Sequence, residues 1–111
     1  MDSFDTLWGE LEPIGRHPGT GGYRRFVLDP AELACREWFV STAAARGLDV
    51  ETDRNGNLWA WWVPPGVDAS LPALVVGSHL DSVPDGGAYD GPLGVVSAFA
   101  GMGGADVGES T

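Results

Sequence analysis

The spacing of apolar and polar positions divides the chain into a series of elements. Phe4, Leu7, Trp8 and Leu11 fall at i, i+3, i+4 and i+7, one helical stripe over residues 3–12, and Pro13 stops it. Residues 14–23 lose that period and carry Gly15, Pro18, Gly19, Gly21 and Gly22, so they form a loop. A second helix is predicted over 30–46. Asp29 is a good N-cap, Pro30 suits the first helical position, and Glu32 completes a capping box. Cys35, Phe39 and Ala43 make one i, i+4 row, Ala34 and Trp38 the next, and Gly47 is placed just beyond the last turn.

The period then changes to that of strands. Leu48 to Glu51 predicts a strand, Asp53-Arg54-Asn55-Gly56 a turn with the strong Asn-Gly hairpin signal, and 57–63 the return strand. Trp59 and Trp61 share one face, with Trp62 on the other. Three tryptophans so close fit an aromatic binding platform, but aromatics favour strands anyway, so packing under helices is preferred. Pro64-Pro65-Gly66 ends the strand, and 64–72 is a loop. Leu74-Val75-Val76 predicts a buried strand that ends at Gly77. From Gly91 a helix follows, with Pro92 early and Leu93, Val95, Val96, Ala98 and Phe99 apolar. After Ala100 the pattern collapses, and the glycine-rich residues 101–111 are not expected to be helical.

Hairpin, strand, then helix predicts the α/β class. The architecture expected is an incomplete three-layer α/β/α domain with a mixed sheet, its last helix leaving Val95 and Phe99 without partners. The sequence shows no internal repeat.

Composition narrows the function. At 111 residues the chain is one small domain at most, and 43% hydrophobic content is that of a globular protein. Sixteen Asp and Glu face six Arg and no lysine, for a net charge of −10. Every arginine lies at or before Arg54. An acidic surface repels phosphate backbones, so nucleic-acid binding is not expected. It also attracts divalent cations, though most of these charges equally fit a solvated surface. No apolar run approaches the roughly 20 residues of a membrane span, and Met1-Asp2-Ser3-Phe4-Asp5 lacks the features of a signal peptide. A cytoplasmic location is expected. The single Cys35 admits no intrachain disulfide and reads as a small core residue.

Chemistry concentrates in residues 73–94, A-L-V-V-G-S-H-L-D-S-V-P-D-G-G-A-Y-D-G-P-L-G. Ligands in open α/β sheets bind just beyond the carboxyl ends of strands, where this order places His79, Asp81 and, after a Gly/Pro-rich loop, Asp90. Imidazole nitrogen and carboxylate oxygen are the usual ligands of zinc and related ions. On extended backbone, side chains two apart point to the same side, so Asp81 can hold the imidazole of His79 and fix its tautomer. A glycine-rich loop can fold Asp90 back toward His79, where its two oxygens can bridge ions about 3.5–4 Å apart. The plain alternative is a loop histidine bonded to a nearby carboxylate, with Asp90 only capping a helix. His17 lies among loop residues without ligand spacing and reads as an exposed loop histidine.

Residues 77–84 (G-S-H-L-D-S-V-P), Gly86-Gly87, Tyr89-Asp90-Gly91 and Leu93-Gly94-Val95 resemble the amidohydrolase branch of the two-metal aminoacylase and carboxypeptidase superfamily. That branch holds N-carbamoyl-L-amino-acid hydrolases of the hydantoinase/carbamoylase type, allantoate amidohydrolases and ureidoglycolate hydrolases. Gly21-Gly22-Tyr23-Arg24-Arg25 and Asn55-Gly56-Asn57-Leu58 look like the family's N-terminal segment too. The likeness runs from about Leu7 to Ala100, roughly the first quarter of a family member.

The resemblance implies two divalent metal ions, zinc or manganese, with His79 ligating one, Asp90 bridging both, and Asp81 orienting His79. It implies a small-molecule substrate and, for the complete enzyme, a homodimer. It also implies parts that this chain lacks: a Glu-Glu pair with the general base, two later histidines and a lid domain. Residues 1–100 are therefore expected to be the N-terminal part of a catalytic domain, and 101–111 a divergent tail from truncation or frameshift. The expected function is hydrolysis of non-peptide C–N bonds in linear amides, with this short chain inactive by itself. Two other readings stay open. One is a non-catalytic metal-binding or interaction fragment that pairs with another chain. The other is the di-metal aminoacylase or peptidase branch, against which Gly86-Gly87-x-Tyr89-Asp90-Gly91 counts.

Overall fold

The computed structural model describes residues 4–68, 70–72 and 74–109, with side chains described up to Gly101. The elements run α1 (Phe4–Leu11), α2 (Pro30–Ala45), β1 (Asp49–Thr52), β2 (Leu58–Trp61) and α3 (Pro92–Glu109). The class is α/β. Contacts divide the chain into two compact units, one running to Cys35 and resuming at Val76, the other Arg36–Val75. No helix among the described residues is long and apolar enough to cross a membrane.

In the first unit α1 packs against α3. Leu7 and Leu11 of the predicted stripe are fully buried, while Phe4 and Trp8 are half-buried. Val95 and Phe99, expected to lack partners, are buried instead together with Val96. With α1 packed on α3 in this unit, the expected bare apolar residues on the last helix are not found. The start of α2 is built as its sequence dictates. Asp29 Oδ1 accepts from the Glu32 amide at 2.9 Å, and Glu32 Oε1 accepts from the Leu28 amide at 2.9 Å. The reciprocal bond thus reaches one residue further back than in a standard capping box. Cys35 is a fully buried free thiol, and burial pushes its pKa up, so it stays a core thiol.

In the second unit, Gly47 ends α2 at φ +73°, with the Leu48 amide bonded to the Ala43 carbonyl at 3.0 Å. The sheet is the antiparallel hairpin, in the register Asp49↔Trp61, Val50↔Ala60, Glu51↔Trp59 and Thr52↔Leu58. Asp53 organises its turn. Its carboxylate accepts from the amides of Asn55 and Asn57, from Asn57 Nδ2 and from Trp59 Nε1, at 2.9–3.1 Å. Trp59 and Trp61 stack on each other at 5.7 Å, and Trp61 remains exposed. The expectation that these rings are packed away is therefore corrected for Trp61.

Two further expectations are corrected. Leu74, Val75 and Val76 form no strand, and Leu74 is 91% exposed. A strand exists only by pairing its N–H and C=O groups with a neighbour, and among the described residues none lies along this run. Helix α3 runs through Glu109 rather than stopping near Ala100. Each added helical residue needs only one more bond once the first turns are formed, so propagation outlasts a weak local propensity.

Candidate functional site

The loop bearing the candidate ligands is held by the Gly21–Arg25 segment. Tyr23 and Gly86 exchange backbone bonds, Tyr23 N to Gly86 O at 2.9 Å and Gly86 N to Tyr23 O at 3.1 Å. Ser82 closes the other end: its amide donates to the Arg25 carbonyl at 2.9 Å, and its hydroxyl accepts from the Arg25 amide at 2.9 Å. A Cβ on Gly22 would stand 2.7 Å from the Asp85 Cα, so only glycine allows these two backbones to approach. Asp85 also binds the Arg24 guanidinium at 3.2 Å and the Thr20 hydroxyl at 2.9 Å, and these donors, Arg24 first, hold its carboxyl below the usual range.

Arg25 anchors this segment to α1. It is buried, with Nε donating to Ile14 O at 2.7 Å and Nη2 to Leu11 O at 2.8 Å. These carbonyls lie at and beyond the end of α1, where backbone acceptors lack helical partners and a cation is favoured. The guanidinium also lies over the buried Tyr23 ring, 4.3 Å from its centroid. Burial lowers the Arg25 pKa and raises that of Tyr23.

His79 Nδ1 lies 3.0 Å from the Asp81 carbonyl oxygen and 3.4 Å from Asp81 Oδ1. A carbonyl only accepts, so this bond puts the proton on Nδ1 and leaves the lone pair of the neutral ring on Nε2. The His79 ring is 58% exposed and open to a ligand. Its other neighbour is Gly91. A Cβ there would stand 2.6 Å from both Cε1 and Nδ1 of His79, and φ at Gly91 is +105°. Asp90 precedes this glycine, with its amide bonded to Gly87 O at 3.3 Å. A Cβ on Gly87 would stand 2.8 Å from Asp90 Oδ2, so the carboxylate rests against bare backbone. The loop thus brings the Asp90–Gly91 turn to His79, across the interval that the glycines span. His17 is elsewhere employed: its Nδ1 accepts from the amides of Gly19 and Thr20 at 3.2 and 3.3 Å, within its own loop.

Sequence reasoning counted Trp8 only as part of a helical stripe and gave Tyr89 no separate role. The two rings stack at 5.4 Å with an 18° interplanar angle, beside Asp90. No pattern along the chain signals a pairing across so long an interval. For the metal, the donor types suit zinc or manganese, but their number does not. Among the described residues, no three His, Cys, Asp or Glu side chains gather closely enough to hold an ion. Zinc sites use three or four protein ligands. These residues therefore do not complete a metal site by themselves.

Fold, loop geometry and sequence likeness together place the chain beside amidohydrolases. It resembles one portion of the hydantoinase/carbamoylase family of amidases. The chain is 39% identical over 91 residues to the N-carbamoyl-L-amino-acid amidohydrolase of Paenarthrobacter aurescens, covering 81% of this chain and 22% of that protein. It is 35% identical over 75 residues to the ureidoglycolate hydrolase of Arabidopsis thaliana, 68% of this chain and 15% of the relative. A hydantoinase/carbamoylase family amidase from Burkholderia ambifaria superposes with a TM-score of 0.77 at 34% identity, over 88% of this chain and 24% of that one. No family model matches the chain. The chain spans less than a quarter of the length of these relatives.

Proposed function

We propose that the chain forms the His79- and Asp90-bearing portion of a metal-dependent hydrolase of non-peptide C–N bonds in linear amides or amidines. N-carbamoyl amino acids, allantoate and ureidoglycolate are the substrate types. The observation that supports this best is the contact of the Gly91 backbone with the His79 ring, made by the G-G-A-Y-D-G loop within a chain so similar to those amidohydrolases. In this reading Nε2 of His79 and the Asp90 carboxylate are two of the ligands to a pair of zinc or manganese ions, and Asp81 orients the imidazole. Such ions, when bound, activate water for attack on a ureido or amide carbonyl. The described residues do not complete the donor set, so the 111-residue chain is inactive by itself.

A chimaera tests this. Residues 7–100 replace the matching segment of the Paenarthrobacter aurescens enzyme, and ammonia release from N-carbamoyl amino acids is followed with Mn²⁺ or Zn²⁺. The chimaera should be active on these and not on dipeptides, and His79→Ala or Asp90→Ala should each reduce the rate at least 100-fold. Undiminished activity in both variants would overturn the assignment of ligands. Ammonia release by the 111-residue chain alone would overturn its predicted inactivity. A second reading, an interaction module, is favoured by one observation, the exposed apolar run Leu74-Val75-Val76. Concentration-independent monomer behaviour in sedimentation would argue against it.

A further inference from the structure

The turn that carries Asp90 contains three glycines, Gly86, Gly87 and Gly91, and its own Asp90–Gly87 bond is long at 3.3 Å. Glycine-rich backbone has many conformations to lose, so a fixed geometry there needs contacts from outside the loop. Tyr89 provides one. Its ring lies on Trp8 at 5.4 Å, and Trp8 in turn lies on Phe4 at 5.9 Å with an 8° interplanar angle. Phe4 and Trp8 are i, i+4 neighbours on α1, so the three rings form one column that leads from that helix to the residue beside Asp90. Apart from this stack Tyr89 is open, with 66% of its surface exposed. The far end of the loop enters α3 at Pro92, and α3 packs against α1. Gly86, at the start of the turn, is already held by Tyr23; beyond it, ring stacking ties Tyr89 to α1 and chain continuity ties Gly91 to α3.

We propose that Trp8 and Tyr89 are positioning residues, which hold Asp90 and Gly91 in place against His79. The proposal rests on His79 and Asp90 being ligands, as read above. Offset stacking resists both lifting and sliding of the rings, so it restrains the turn in the directions that a single backbone bond leaves free.

The test uses the full 111-residue chain in solution. A nuclear Overhauser contact between His79 Hε1 and the Gly91 Hα protons reports the closed turn. Mn²⁺-induced line broadening at His79 and Asp90 reports ion binding. Trp8→Ala and Tyr89→Ala should each lose the contact and reduce the broadening at least threefold at equal Mn²⁺. Trp8→Phe and Tyr89→Phe, which keep a stacking ring, should retain both. Val96→Ala serves as the control, since it lowers the melting temperature through the buried core and should leave the contact intact. A contact that persists in both alanine variants, or that is lost equally in Val96→Ala, would overturn the proposal. If Trp8→Ala fails to fold by circular dichroism, Tyr89→Ala decides, because that side chain is exposed. Absence of Mn²⁺ broadening in the unaltered chain would fit its incomplete donor set; the chimaera then decides the ligand reading, and the Overhauser comparison decides the positioning role.

Discussion

The imidazole of His79 lies on the backbone of Gly91, where a Cβ would intrude to 2.6 Å of Cε1 and Nδ1 and to 2.7 Å of the His79 carbonyl oxygen. Two separate requirements therefore select glycine at this position, the lack of a side chain and the left-handed φ of +105°. Gly91→Ala should move the ring or open the turn. The backbone conformation alone accounts for about 1–3 kcal/mol of lost stability. Urea denaturation measures the loss, and the His79 ring resonances measure the displacement. A variant with unchanged midpoint and unchanged His79 shifts would contradict the close approach.

Arg25 ties the Gly21–Arg25 segment to the end of α1 through two carbonyls, with its charge buried over Tyr23. Arg25→Ala removes both charged donors and leaves the Leu11 and Ile14 carbonyls without them. A loss of about 3 kcal/mol is expected in the urea unfolding free energy. Arg25→Lys should recover little, because one ammonium lacks the planar fork that reaches two acceptors. Full recovery by lysine would show that charge alone matters.

The hairpin should weaken in acid. Asp53 has its pKa lowered by the Trp59 indole N–H first, then by the Asn57 amide, with further donors from Asn57 and Asn55. A carboxyl whose folded pKa is depressed stabilises above its unfolded value, about 3.9, and that stabilisation is lost as pH falls through the folded value. Asp85, held by Arg24 and Thr20, and Asp68, held by Ser70, act in the same direction. Tryptophan fluorescence followed from pH 6 to pH 2 should therefore change in the acid range. In Asp53→Asn the part of this change that comes from Asp53 should disappear, since the amide does not titrate.

The N-cap of α2 offers a smaller effect. Asp29→Ala loses the bonds that its carboxylate accepts, at Oδ1 from the Glu32 amide and at Oδ2 from the Phe26 amide. Stability should fall by about 1 kcal/mol. Thermal unfolding measures it, and Asp29→Ser should restore most of it.

These residues also show how far the chain could be read as sequence. Local chemistry carried over directly. Asp29 and Glu32 start α2, Gly47 ends it, and Asn55-Gly56 turns the hairpin, because each depends on bonds within a few residues. That His79 lies near Asp81 follows from spacing by two, but the 3.0 Å contact falls on the Asp81 carbonyl and the carboxylate oxygen that the spacing pointed to stands at 3.4 Å. The strand expected at Leu74–Val76 was not, because apolar content marks a wish for burial and only a neighbouring chain grants the pairing. The reach of α3 beyond Ala100 was likewise missed, since glycine counts weigh propensity and not the cooperativity of a helix already begun.

The sequence by itself thus determined the α/β class, the caps and turns, and the loop residues that carry the candidate chemistry. Only the tertiary structure decided which distant groups meet. Arg25 reaches back to Leu11, Ser82 closes on Arg25, and Trp8 covers Tyr89. The physical reason is that such contacts follow from how α1, α3 and the loops between them pack, and packing is non-periodic and leaves no trace in the spacing of residues along the chain.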